Sequence, residues 1–354
     1  MSAIPEFTHE RVLTAQGARS GLVITVALHS SALGPALGGC RVWTYPTWAD
    51  GQADALRLSA AMTLKNAAAG LDAGGGKSVI ALPMGTHLDG ERRRAALLDL
   101  GDLVEALDGK YRTAEDVGTT EHDMVVVRER TEHVVGLPAE KGGAGEPAGA
   151  TALGVYSSIA PTLEAAFGTG EIAGRSFVIS GLGQVGGRLA RMLAGEGARL
   201  IVTDIDAGKQ QLASELGAEW IAPDRALTTP ADVLVPAGLG GILTDETIDA
   251  LPVKAVVGPA NNPLADRSGA ERLQQRGIVY APDFVVNAGG VIHLEGIGHG
   301  QDWPTIATRL TAIGDTVRSV LAGAEQQGTT TLEAAEALAY ARIDAARTRP
   351  TVDA

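Results

Sequence analysis

An α/β protein of two domains is what this sequence predicts, with a parallel sheet in its second half. Three observations carry that expectation. At 354 residues the chain is too long for one ordinary core, so two domains of roughly 100–200 residues each are the natural reading. From Arg175 onward, short apolar runs alternate with helical stretches, as in parallel strands joined by helices and covered on both faces. Aromatic residues make up only 4% of the chain while glycine and alanine abound, which favours close-packed helices and tight turns over aromatic-rich sandwiches.

Along the first half, 21-GLVITVAL-28 reads as a strand. The loop 31-SALGPALGGCRVW-43 sets Gly38 and Gly39 ahead of an extended segment. Residues 50–70 are helical by composition, with Asp50 or Asp54 as the start signal and Gly70 as the stop. Leu58, Met62 and Lys65 recur there at i, i+4 and i+7, so Lys65 is expected on the apolar stripe. The run 70-GLDAGGGKSVIAL-82 reads as a glycine loop, Gly74 to Gly76, then Lys77, then a strand over 78–82. A helix over about 91–107 leads to 111-YRTAEDVGTTEHDM-124, where Asp116 falls between a strand and the next helix.

The Gly/Ala/Pro-rich segment 141-KGGAGEPAGATA-152 is the linker candidate. It places a first domain at 1–145 and a second at 146–324. A long helix over about 151–167 follows. Strands are expected over 176–180, 199–204, 232–236, 254–258 and 278–282, with helices over 184–194 and 208–216. From Trp303 to about Arg347 the chain reads as helices.

The net charge of −13 argues against nucleic acid and anionic membranes as partners, since both need basic surface. The single cysteine, Cys40, excludes an intrachain disulfide and fits a reducing cytoplasm. The N-terminal residues lack the features of a signal peptide, and no run reaches the ~18 apolar residues of a membrane helix.

The clearest local motif is 176-SFVISGLGQVGGRLARMLAGEGARLIVTDID-206. Gly181, Gly183 and Gly186 form G-x-G-x-x-G between a strand and a helix. In that context the first glycine permits a tight turn, the second lets backbone approach a pyrophosphate, and the third lets helix and strand pack closely. The helix start, with Gln184 and Val185, offers N–H groups and a positive dipole end to phosphates. Asp204 ends the second strand about 20 residues on, where an acid accepts hydrogen bonds from ribose hydroxyls. Its charge would repel a 2′-phosphate, which favours NAD over NADP, and Asp206 adds a second negative charge. A glycine-rich turn with no ligand is the plain alternative.

Three charged residues in the first half have bland readings too. Lys65 can snorkel, Lys77 can be an ordinary strand-edge lysine, and Asp116 can cap the following helix. Together they suggest more. A nicotinamide enzyme needs one group to hold a substrate carboxylate and another to act as a base near neutral pH. Two lysines converging in one cleft supply both, because mutual repulsion and partial burial lower a lysine pKa. Asp116 would balance the charge and handle an amine.

The segments 34-GPALGGCRVW-43, 62-MTLKNAAAGLDAGGGKSVI-80, 111-YRTAEDVGTT-120, 181-GLGQVGG-187, 259-PANN-262 and 281-APDFVVNAGGVIHL-294 occur in one order. In that order they resemble the Glu/Leu/Phe/Val amino acid dehydrogenases over nearly the whole chain. The resemblance implies a substrate-binding and oligomerisation domain with an unusual mixed sheet, a Rossmann domain, and a cleft between them. The last helices, about 325–354, would pack back onto the first domain. It further implies a homo-oligomer and reversible, NAD-dependent deamination of an L-amino acid to the 2-oxo acid and ammonia, with no metal.

In that reading Lys65 binds the substrate carboxylate, helped by backbone around Gly39. Lys77 is the general base that activates water, and Asp116 shuttles protons at the amino group. Asn261 lies near substrate amine and nicotinamide, as do Thr151 and Asn287, and Ala237 belongs to the cofactor site. The side-chain pocket falls on Leu37, Ala114, Val291 and Leu294.

No extra lysine stands in GPALGG or NAGGVIHL to meet a distal carboxylate, so a hydrophobic substrate is implied. Ala114, TAEDVGTT and NAGGV resemble leucine-type members and favour branched-chain substrates. The loop 142-GGAGEP-147, Cys40 and His293-Leu294 lean toward phenylalanine. A silent NAD-sensing protein on the same scaffold would typically have lost a lysine or Asp116. A hydroxy-acid dehydrogenase would want a His/Asp pair instead.

Overall fold

In the computed structural model, which describes residues 7–348, the chain divides into two units. The first runs through Glu146 and takes in Ile297–Gly300 and the chain from Ala339; the second holds Pro147–Gly296 and Gln301–Leu338.

The first unit is built on five strands: β1 (Arg11–Gln16), β2 (Val23–Ser30), β3 (Ala36–Tyr45), β4 (Gly74–Pro83) and β5 (Tyr111–Glu115). They lie in the order β1-β2-β4-β3-β5. β1 and β4 run antiparallel to β2, while β3 runs parallel to β4 and β5, so the sheet is mixed. Its helices are α1 (Trp48–Ala68), α2 (Gly90–Glu105) and α3 (Glu121–Arg128). Successive strand residues face opposite ways. Ile24, Val26, Ile80, Cys40 and Val42 therefore join a core with Leu97 and Leu100 of α2 and Met124 of α3. Ala27, Val79, Ala81 and Tyr45 pack on Ala55 of α1 from the other face. Lys77 is two residues from Val79 and thus belongs to the α1 face.

Four local features differ from the sequence expectation. Gly74, Gly75 and Gly76 are not a loop; they are the buried first residues of β4. Helix α1 begins earlier than either aspartate, capped by Thr47, with Asp50 returning the bond in a capping box. Lys65 is half-buried at the border of the stripe, whose buried members include Ala55, Leu58, Ser59, Thr63, Asn66 and Ala67. β1 was not anticipated because it is an edge strand paired only with β2 and has no buried residue.

The second unit begins with α4 (Ala148–Phe167) and carries six parallel strands: β6 (Ser176–Ser180), β7 (Arg199–Thr203), β8 (Glu219–Trp220), β9 (Val233–Pro236), β10 (Ala255–Val256) and β11 (Val279–Tyr280). Their order is β11-β10-β9-β6-β7-β8, the doubly wound arrangement of a dinucleotide fold. Between and after them come α5 (Gln184–Gly195), α6 (Gln210–Glu215), α7 (Asp245–Ala250), α8 (Gly269–Gln275), α9 (Asp283–Val286), α10 (Gly289–Gly298), α11 (Trp303–Thr311) and α12 (Ile313–Gln327). α13 (Thr331–Arg347) ends the described chain. In its last part, Arg342 donates to Leu71 O at 2.6 Å and to Asp72 at 2.9 Å. Among the described residues no helix is long and apolar enough to cross a membrane.

Candidate active site

Glycine at the start of β4 is a packing requirement. A Cβ on Gly75 would stand 2.2 Å from the Thr63 backbone nitrogen on α1, and one on Gly76 would stand 2.6 Å from the Tyr111 ring. α1 therefore rests directly on the strand. The Asn66 amide completes the clamp, donating to Gly74 O at 2.6 Å and to Leu37 O at 3.2 Å. Lys65 precedes this clamp in the last turn of α1.

One residue after the glycines, Lys77 is buried, with its side chain 5% exposed and Nζ 3.0 Å from Asp116 Oδ1. Asp116 leaves the end of β5 in a loop fastened to β3. Its N–H donates to Thr119 Oγ1, and that hydroxyl donates to Cys40 O. Gly39 makes room: a Cβ there would sit 2.3 Å from Glu115 O and 2.8 Å from Asp116 Cβ. Burial pushes the Asp116 carboxyl up, but the Lys77 ammonium and Arg41 guanidinium outweigh it and hold it below the ordinary range.

Arg41 donates from Nε to Asp116 Oδ2 at 3.0 Å and from Nη1 to Asp54 Oδ2 at 3.0 Å. Sequence reasoning gave Arg41 no role. Its signal was alternation, since it lies two residues past Gly39 on a strand covered by a helix, where an unpaired charge is costly. Leu37 and Ala114 are buried on adjacent strands, with Ala114 in register with Gly39. The neighbouring Cys40 thiol is fully buried and pushed up to about 12 by that burial, so it is no nucleophile.

In the second unit each glycine of the turn has its own cause. Gly181 has φ +115°, and a Cβ there would meet Ala237 O at 2.7 Å. On Gly186 it would meet Gly181 O at 2.1 Å. Gly183 is different: nothing lies within 4 Å of its Cβ position. Packing does not demand glycine there, so the open approach fits a phosphate resting on the start of α5. Gln184 and Val185 form that first turn, and Gln184 Oε1 accepts from Arg188 at 2.7 Å. Asp204 ties the turn down, accepting from Leu182 N at 2.6 Å and Asp206 N at 2.8 Å.

Asn261 and Asn287 are joined, with Asn287 Nδ2 donating to Asn261 Oδ1 at 2.9 Å and to Pro259 O at 3.2 Å. The turn beneath them is held by Asp283, which accepts from the N–H of Asn262, a residue at φ +48°. Asn287 Oδ1 is buried with no partner among the described residues, an acceptor left for a ligand's donor. Gly289 and Gly290 seat the start of α10 on the first turn of α4, their Cβ positions 2.3 Å from Ala150 O and 3.0 Å from Thr151 Oγ1. Thr151 is thereby set close to the Asn287 segment. Val291 and Leu294 follow on α10, half-buried and buried. The open glycine and the orphaned acceptor fit a dinucleotide in this unit. Among the described residues no three His, Cys, Asp or Glu side chains gather as metal ligands.

Comparison with known proteins gives matching results for both halves. Residues 9–133 match the family model described as "Glu/Leu/Phe/Val dehydrogenase, dimerisation domain". Residues 202–349 match "Glutamate/Leucine/Phenylalanine/Valine dehydrogenase". The leucine dehydrogenase of Thermoactinomyces intermedius is 40% identical over 98% of this chain and 94% of its own. The phenylalanine dehydrogenase of Bacillus thermotolerans is 37% identical over 95% and 89%. The solved L-tryptophan dehydrogenase of Nostoc punctiforme is 33% identical, covers 97% of this chain and 98% of its own, and has a TM-score of 0.83.

Proposed function

The chain belongs to the Glu/Leu/Phe/Val dehydrogenase family, and from that premise we propose that it is an NAD-dependent L-amino acid dehydrogenase for branched-chain substrates. It converts the amino acid to its 2-oxo acid and ammonia, reversibly. The observation that carries the reading is the buried Lys77–Asp116 pair at 3.0 Å.

A bound nicotinamide supplies the acceptor for the hydride leaving Cα. The chain supplies the rest. Lys65 holds the substrate carboxylate, with backbone around Gly39. In its neutral amine form Lys77 takes a proton from water as its oxygen adds to the imino carbon. Asp116, one hydrogen bond from Lys77, takes and returns the proton at the substrate nitrogen. Asn261 and Asn287 lie near the nicotinamide and the substrate amine. NAD is favoured over NADP because the charge of Asp204 at this motif position would repel a 2′-phosphate.

Leucine-type specificity is supported by Ala114, by the lack of an extra lysine in GPALGG and NAGGVIHL, and by the 40% identity to a leucine dehydrogenase against 37% to a phenylalanine dehydrogenase. A second reading, phenylalanine, is favoured by the loop 142–147 and by His293-Leu294. One methylene changes discrimination by only ~1–3 kcal/mol, so the pocket sets a preference. The name of the model matching residues 9–133 supports a homo-oligomer, and the lone cysteine supports a cytoplasmic enzyme.

The test is initial-rate NAD reduction with L-leucine, L-valine and L-phenylalanine, and its reversal with ammonia and the 2-oxo acids. No activity with any of them, together with a Lys77→Ala variant that behaves as wild type, sinks the proposal.

A further inference from the structure

We propose that Arg41 is a positioning residue for the Asp116 carboxylate, gripping it from a second anchor on helix α1. The idea rests on the dehydrogenase reading above and extends its machinery beyond the two lysines and the aspartate.

The grip is two-sided. Lys77 Nζ lies 3.0 Å from Oδ1, and Arg41 Nε donates to Oδ2 at 3.0 Å. Rotation of the carboxylate breaks a charge-assisted bond on either side. Arg41 is itself fixed. Its Nη1 reaches Asp54 Oδ2 at 3.0 Å, and that oxygen also accepts from Tyr45 OH at 2.7 Å. The other Asp54 oxygen accepts from Arg57 at 2.7 Å. The result is one charged chain, Arg57–Asp54–Arg41–Asp116–Lys77, that runs from α1 through β3 to β4.

Arginine suits this place because two nitrogens of one rigid plane address two carboxylates at once, and a lysine ammonium has no such fork. Arg41 also stays protonated at any working pH. It therefore holds the charge on Asp116 without exchanging protons, so proton traffic is directed to Oδ1, the oxygen shared with Lys77. The side chains of Arg41, Asp54 and Asp116 are 21%, 14% and 23% exposed, so water screens this inner part of the chain less than it screens Arg57 at its outer end.

Two variants, Arg41→Gln and Asp54→Asn, test this with two readouts. Titration of the Asp116 carboxyl carbon by NMR in the cofactor-free protein needs no turnover. The pH dependence of kcat with L-leucine and NAD reads the same group at work. In Arg41→Gln the Asp116 midpoint rises by about one unit. kcat falls about tenfold or more, while KM for the amino acid stays within about threefold. Arg41→Lys restores part of the midpoint but not the full kcat. Asp54→Asn, which leaves Arg41 in place, shifts both readouts the same way by less, and it decides the matter if Arg41→Gln fails to fold. An Asp116 midpoint that moves in neither variant, or a loss confined to KM, overturns the proposal. A wild-type protein without amino-acid-dependent NAD reduction defeats the dehydrogenase reading instead, and the NMR titration still judges Arg41.

Discussion

Lys77 and Asp116 face each other at 3.0 Å, and the lysine is the deeper of the two, its side chain 5% exposed against 23%. A buried ammonium is tolerated only with a partner, so the pair is a unit whose halves fail together. Replacing Lys77 by methionine keeps the volume and removes the charge. Asp116 then retains Arg41, which limits the stability loss to about 1–3 kcal/mol. Amino-acid-dependent NAD reduction falls by about 100-fold or more. Urea midpoints and initial rates measured together check this; a variant that keeps its activity while losing stability makes the pair structural only.

Two glycines separate packing from ligand approach. Gly75 cannot accept a Cβ without moving the α1 backbone, since Thr63 N would be 2.2 Å away. Gly75→Ala is expected to destabilise by about 1–3 kcal/mol and to lower kcat/KM by displacing Lys65 against Lys77. Gly183 has open space around its Cβ position and φ −64°, which any residue adopts. Gly183→Ala should leave stability within about 0.5 kcal/mol of wild type and raise KM for NAD about tenfold. Equal effects on stability in the two variants would mean that Gly183 is not reserved for a ligand.

These same glycines mark where sequence patterns stop. Three in a row before a lysine read as a loop because glycine weakens strands; only the distances to Thr63 and Tyr111 show that they are the means by which a strand passes under a helix. The doubly wound half was legible because its strands are continuous apolar runs between helices, and β6 falls on the residues expected. β8 was not legible, being a two-residue edge strand with no buried member. Lys77 stood out because three glycines precede it, and Asp116 because it falls between a strand and a helix. Arg41 did not, because its two partners lie 13 and 75 residues away and no local spacing joins them.

Acid should loosen the first unit through Asp99 of α2. Its carboxylate accepts from Ser20 N at 2.9 Å, Ser20 Oγ at 2.8 Å and Arg19 Nη1 at 2.8 Å, closing the turn between β1 and β2. Burial pushes this carboxyl up, yet the Ser20 and Arg19 bonds more than offset that and leave it below the ordinary range. A depressed folded pKa means that the stabilisation is complete above the unfolded value of about 3.9 and disappears as pH falls through the folded one. Asp99→Asn should therefore cost about 2 kcal/mol at pH 7, with the gap to wild type closing as pH falls below the unfolded value through the folded one. Urea midpoints across that range are the measurement. A gap independent of pH would assign the effect to lost packing.

Asp204 holds the glycine turn and is proposed to discriminate between the cofactors, and one substitution can separate the two. Both oxygens already accept backbone N–H bonds, from Leu182 and Asp206, so the side chain holds the glycine turn, beside the ribose role proposed for it. Asp204→Asn keeps an oxygen acceptor and removes the charge. Loss of the turn's tie weakens NAD and NADP alike. Loss of the charge acts on NADP alone, because only its 2′-phosphate is repelled by a carboxylate at close range. The ratio of kcat/KM for the two cofactors cancels the first effect and isolates the second. It should move toward NADP by about tenfold, roughly 1.4 kcal/mol of relieved repulsion. A variant weakened for both cofactors with its ratio unchanged would assign Asp204 to the turn and move the source of NAD preference to another residue, with Asp206 the nearest acid to test.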